Sequence, residues 1–222
     1  MAFDPEAIRG LILRLPVVLF ALTVHEFMHG WVAHKCGDDT ALRAGRLTLN
    51  PLPHLDPIGT LCLLFAPIGW AKPVPVDTTN FSYETRRRDE ILVGGAGVAA
   101  NFAMAIGVAL VARVLLVAGM APTTRAAGIV WTLMGHAVLV NFGLGVFNLL
   151  PIAPLDGSHI VKNLLPLNAA IRFTQLSRYG PILLLAVVAV NYVTGILMWP
   201  IVLLTLLFAG TDAWPYLFQQ LA

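Results

Sequence analysis

Residues 17–34 read VVLFALTVHEFMHGWVAH. His25, Glu26 and His29 stand there as H-E-x-x-H, directly after the apolar run Leu15–Val24. In a helix, positions i and i+4 share one face, so both imidazoles reach a single ion. Glu26 lies about 100° round the helix from His25, beside the ion's open position, where it can take a proton from water. Ionisable side chains at membrane depth are costly and mark function. This stretch therefore reads as a membrane span that carries chemistry.

The composition agrees. The 222 residues are 58% hydrophobic and 12% charged, against about 45–50% and about 25% in soluble domains. The chain reads as one integrated membrane domain over residues 1–222, with no room for an added soluble domain of about 100–150 residues. A formal net charge of +2 gives a nucleic-acid role no electrostatic support. Cys36 and Cys62 make no disulfide framework, and two thiols alone do not suggest a metal site. The N-terminus, MAFDPEAIRG, lacks a secretory-signal pattern, so the first apolar run is expected to be retained.

Working outward, spans are expected at about 8–34, 90–119, 128–150 and 181–208. The first is roughly 40 Å long at about 1.5 Å per residue, enough to cross with tilt. Between the first two spans lies an unusual region, 47–76, whose prolines from Pro51 to Pro75 rule out one continuous helix. Its apolar part, Ile58–Pro67, is too short to span and reads as a hairpin or re-entrant element, which must be enclosed by protein or line a water-filled cavity. Its flanks, Leu47–Leu49 and Val74–Val76, read as short strands. The second span opens with a small-residue patch, GGAGVAAN, suited to close helix packing. Gly195 and Pro200 interrupt the last apolar segment, which is either one kinked span or a span plus a short re-entrant or interfacial helix.

Basic residues set the orientation. With one side reached after the first span, Lys35, Arg43, Arg46, Lys72, Arg86, Arg87, Arg88, Lys162, Arg172 and Arg178 all fall on that side. By the positive-inside rule it is the cytoplasm. The expected location is a cell membrane, multi-pass, with His25–His29 and Pro151–Gly157 both towards the cytoplasmic side.

A catalytic zinc takes three protein ligands and keeps one position open. Asp156 leads as the third ligand, because Pro151, Pro154 and Gly157 break the backbone around it and can aim its carboxylate. Asp156 also reads as an N-cap for the helix that follows, and His159 is a rival ligand.

Four motifs now coincide: H-E-x-x-H at His25–His29, N-P-x-x-H-x-D-P-x-G at Asn50–Gly59, G-W-A-K-P-V-P at Gly69–Pro75, and N-x-x-P-x-x-P-L-D-G at Asn148–Gly157. In this order they resemble the site-2 protease family of intramembrane zinc metallopeptidases, over nearly the whole chain. The resemblance implies a polytopic α-helical membrane protein with a core of three transmembrane helices, a re-entrant or short β element and one or two further C-terminal membrane helices. It implies a minimal form without a PDZ or CBS domain, and one Zn2+ ion on His25, His29 and Asp156. It implies Glu26 as general base and Asn148 as a residue that helps hold the scissile carbonyl or the site. The implied partners are a transmembrane protein substrate and the lipid bilayer, with peptide bonds hydrolysed in or near the substrate's span. Ser158 departs from the commoner second glycine after the aspartate.

Other residues carry weaker expectations. His54, Leu49 and Val74 are candidates for substrate contact, the last two through edge pairing of an unwound substrate; for His54 a structural hydrogen bond is the stronger reading. Asp56 reads as a turn or cap residue. Asn101 and Asn141 read as interhelical hydrogen-bonding groups, and His136 likewise. A competing class is a non-enzymatic carrier or scaffold with a retained metal site; a free carboxylate at Glu26 speaks against it. A different membrane metallopeptidase would take a glutamate ligand from a later helix, but Glu6, Glu26, Glu84 and Glu90 are the only glutamates.

Overall fold

The computed structural model describes residues 5–65 and 69–218, and the described residues are predominantly helical. Among them ten α-helices follow in order: α1 (Pro5–Lys35), α2 (Thr40–Arg43), α3 (Pro57–Phe65), α4 (Arg86–Val117), α5 (Arg125–Asn148), α6 (Asp156–Leu164), α7 (Leu167–Ser177), α8 (Gly180–Thr194), α9 (Met198–Ala209) and α10 (Trp214–Phe218). By length and composition three of them, α1, α4 and α5, can cross a membrane, and up to five spans result if each bent helix pair counts as one. Those pairs are α7 with α8, bent by 72°, and α9 with the Thr211–Phe218 segment, bent by 104°. The interrupted segment 181–208 is thus two helices, α8 and α9. The break falls at Gly195, which takes the left-handed conformation (φ 62°) that ends a helix without strain in glycine.

Helix α4 is the hub, packed against α1, α5, α6 and α9. Its buried residues include Gly94, Ala96, Gly97, Asn101, Ala105, Ala109 and Ala112. In lipid, association rests on close packing rather than on removal of apolar surface from water, so small residues that let backbones approach are the favoured contacts. Ala105, Ala109 and Ala112 accordingly meet Trp131, Val138 and Phe142 of α5 and Ile201, Ala209, Leu217 and Phe218 beyond. A methyl group on Gly135 would lie 2.0 Å from the Leu217 carbonyl oxygen, which shows how tightly α10 folds back on α5.

Helix α6 is strapped to the start of α4. Arg87 donates to the carbonyls of Asn163 and Leu165 at the C-terminal end of α6. Asn163 also donates to Glu90 at 2.8 Å. At the other end of α6, a Cβ on Gly157 would lie 2.3 Å from the Leu149 carbonyl oxygen, so glycine is required for this close turn out of α5. The hydroxyl of Ser158 donates to Leu155 O at 2.7 Å and so fits the turn.

The expected strands at Leu47–Leu49 and Val74–Val76 do not form among the described residues, where the sole β pairing is an isolated bridge between Leu55 and Ala71. The reason is local chemistry. Pro73 and Pro75 have no N–H to give a ladder, and the Val74 N–H between them is taken by a side chain of α1. Side chains hold the region instead. Arg46 donates to Lys72 O at 2.6 Å, and His54 Nε2 lies 2.9 Å from Thr48 O. The apolar part expected at Ile58–Pro67 is α3, whose start is capped by Asp56 accepting from Gly59 N at 2.8 Å; the end of that stretch, 66–67, lies outside the described residues. Asp38, fully buried, accepts from Thr40 N, Thr40 Oγ1, Asp77 N and Asn80 Nδ2, tying the end of α1 to the chain just before α4.

Candidate metal centre

Helices α1 and α4 run antiparallel where His25 and His29 face a stripe of α4 with four-residue spacing: Val93, Gly97 and Asn101. His29 Nδ1 lies 2.7 Å from Val93 O. A carbonyl only accepts, so the proton is on His29 Nδ1. His25 Nδ1 lies 2.5 Å from Asn101 Oδ1. The Asn101 amide nitrogen points the other way, to Asn141 Oδ1 at 2.8 Å and Ala21 O at 3.4 Å, so its oxygen must face the imidazole and His25 also carries its proton on Nδ1. Between them, Gly97 leaves room for the rings: a Cβ there would lie 2.5 Å from His29 Nε2 and 2.7 Å from His25 Nδ1.

Both Nε2 atoms therefore present lone pairs, and they present them to each other, 3.1 Å apart. Asp156 Oδ2, at the first turn of α6, lies 3.1 Å from His25 Nε2 and 3.2 Å from His29 Nε2. This oxygen is buried and accepts no hydrogen bond. Three electron-pair donors turned on one another in a buried site repel unless a cation lies between them. Tetrahedral zinc with bonds of about 2.0–2.2 Å spaces its ligand atoms about 3.3 Å apart. The observed triangle is close to one face of that tetrahedron, and the donor set of two imidazoles and a carboxylate is one zinc accepts. Among the described residues this is the sole group of three metal-ligating side chains that converge.

Similarity to known proteins agrees with this geometry. The chain is 38% identical, over 92% of its length and 90% of the relative's, to "Putative zinc metalloprotease YwhC" of Bacillus subtilis (strain 168). The chain belongs to the M50 peptidases, the site-2 protease family. The family model, Peptidase family M50, matches residues 111–190, a stretch that includes Asn148 and Asp156. "Putative zinc metalloprotease Rip2" of Mycolicibacterium smegmatis is 32% identical over 63% of this chain, which spans about half of that relative, 52%. No solved structure matches the chain. Zinc is the cofactor of this M50 chain, a metalloprotease and a multi-pass membrane protein.

The remaining expected site residues fall as follows. Glu26 stays outside the converging triangle, and its Oε2 accepts from Val74 N at 2.8 Å. Asn148 ends α5 and donates to Leu144 O at 3.0 Å. Asp156 is not an N-cap: Leu155 holds the N-cap position of α6 without a side-chain cap, and the Asp156 carboxylate turns to the imidazoles. His159 is exposed and outside the triangle. His54 is buried, and both its ring nitrogens have partners, Thr48 O and Arg46. Leu49 is exposed beside an apolar groove that it lines with Leu15, Leu19, Phe20 and Pro51. His136 is buried, and its Nδ1 makes no hydrogen bond among the described residues. Sequence reasoning placed Gly97 in a packing patch and Asn101 between helices; the metal-facing side of each depends on the α1–α4 register, which no local pattern encodes.

Proposed function

We propose that this chain is an intramembrane zinc endopeptidase that cuts other membrane proteins in or near their spans. The observation that carries the reading is the three lone-pair donors of His25, His29 and Asp156, 3.1–3.2 Å apart, with Glu26 next to His25 in α1 and outside the triangle. His25, His29 and Asp156 would hold the zinc. When bound, the ion lowers the pKa of a coordinated water towards neutrality and polarises a carbonyl.

The chain's own residues do the rest. Glu26 takes a proton from the attacking water and delivers it to the amine that leaves as the peptide bond breaks. The Val74 N–H fixes the Glu26 carboxylate. Asn148, at the end of α5, steadies the scissile carbonyl once its amide turns from Leu144 O. An unwound substrate span is received in the apolar groove between α1 and Leu49; the groove reaches Thr23, three residues before Glu26. His54 supports this wall of the groove through Thr48. The basic residues Lys35, Arg46, Lys72 and Arg86–Arg88 gather at the same end of α1 and α4 as the triangle, which supports a site on the cytoplasmic side of a cell membrane.

The test is a single-span substrate, cleaved by the purified protein and mapped by mass spectrometry. The expected result is two fragments with one new terminus pair inside or next to the span. A ladder of single-residue steps from one end would overturn the endopeptidase reading.

A further inference from the structure

Asn101 has a second set of contacts that interhelical adhesion does not require. Its carboxamide connects three helices: it accepts from His25 on α1, and it donates to Asn141 on α5 and to Ala21 O. It has no exposure at all, so no water competes for these bonds. Asn141 is buried too, and its own amide nitrogen donates to Ala137 O at 2.9 Å.

The direction of this chain of bonds is fixed at both ends. Ala137 O only accepts, so Asn141 must turn its oxygen to Asn101. Ala21 O only accepts, so Asn101 must turn its oxygen to His25. The imidazole therefore meets an acceptor at Nδ1 and keeps its proton there, and the lone pair is left on Nε2, facing Asp156 and His29. Were the Asn101 amide reversed, its N–H would confront Nδ1, the ring would shift its proton to Nε2, and that atom would no longer ligate. His29 needs no such device, because a backbone carbonyl, Val93 O, holds its tautomer.

We infer that Asn101 is a positioning residue of the metal centre, which sets the tautomer of His25, and that Asn141 acts through Asn101 by fixing which way its amide faces. This rests on the proposed role of His25 as a zinc ligand. Partners of this kind typically change metal affinity by about 10–100-fold when removed.

The experiment is zinc affinity of the purified full chain, by competition with a chelator, for wild type, Asn101→Leu, Asn101→Asp, Asn141→Leu and the Asn101→Leu/Asn141→Leu pair. Thermal stability of each zinc-free protein is read alongside. The wild type is expected to bind one zinc; failure to do so would defeat the ligand assignment itself, separately from this inference. Asn101→Leu is expected to bind about 10–100-fold more weakly. Asn101→Asp keeps an acceptor for the His25 N–H and is expected to stay within a few-fold of wild type. Asn141→Leu is expected to lose less than Asn101→Leu, and the pair no more than Asn101→Leu alone, since one acts through the other. Should Asn101→Leu not fold, Asn101→Asp and Asn141→Leu decide. Lower thermal stability with unchanged zinc affinity in the leucine variants would overturn the inference, as would loss of zinc by Asn101→Asp equal to that of Asn101→Leu.

Discussion

The backbone N–H of Val74 donates to Glu26 Oε2 at 2.8 Å. It is the one N–H available between Pro73 and Pro75, so the G-W-A-K-P-V-P segment brings a single, unambiguous donor to the Glu26 carboxylate. Gly30, one turn after Glu26, permits the approach: a Cβ there would lie 3.1 Å from Val74 Cγ1.

Val74→Pro removes that donor and nothing else from the segment's hydrogen bonding. A hydrogen bond to a charged group contributes about 1.5–3 kcal/mol, so kcat is expected to fall by roughly tenfold or more, with zinc content unchanged. Steady-state kinetics with metal analysis checks both halves. Unchanged kcat would mean that Glu26 is oriented by something else.

Gly97→Ala is expected to abolish tight zinc binding, because the added Cβ would lie 2.5–2.7 Å from both imidazoles, whose rings are held by hydrogen bonds to Asn101 and Val93 O. Gly95→Ala is its control: nothing lies within 4 Å of that Cβ. In a helix interior the control change stabilises by about 0.5–1 kcal/mol. Zinc content and melting temperature of the two variants test the contrast.

Asp156→Ala is expected to lose zinc, and His159→Ala to keep it. The two were rival third ligands by sequence alone; the geometry turns Asp156 Oδ2 to both histidines and leaves His159 exposed. Zinc retained by Asp156→Ala would refute the ligand set.

How far these features were legible differs by residue. His25 and His29 are a local pattern, and helix periodicity alone makes them neighbours. The approach of Asp156 to the two histidines was legible because Pro151, Pro154 and Gly157 mark a break that a helix of ordinary composition would not carry. The break at Gly195 was legible as an interruption, but its outcome as two helices was not. The strands at 47–49 and 74–76 were misread because extended, proline-flanked segments look like strands until one asks where their N–H groups go. Gly97 was read as a packing residue and Asn101 as an interhelical hydrogen-bonding group; that both face the imidazoles of His25 and His29 follows from the antiparallel register of α1 and α4.

Acid should loosen the loop clasp at Asp38. Burial alone would raise its carboxyl, but hydrogen bonds from the Thr40 and Asn80 side chains and from the Asp77 and Thr40 amides outweigh burial and hold it below the ordinary carboxylate value. A depressed folded pKa gives stability that is present above the unfolded value of 3.8 and is lost as pH falls through the lower, folded value. Limited proteolysis of segment 72–80 should therefore show protection that persists at neutral pH, falls away only in strong acid, and is already weak at neutral pH in Asp38→Ala. Full protection in that variant would contradict the clasp.

The most direct test of the central claim compares wild type with Glu26→Gln, each assayed for bound zinc and for cleavage of the same single-span substrate. The account predicts one zinc in both proteins and cleavage by the wild type alone, since the substitution leaves His25, His29 and Asp156 in place but puts an amide where a carboxylate must take the proton. Equal cleavage by both would contradict it.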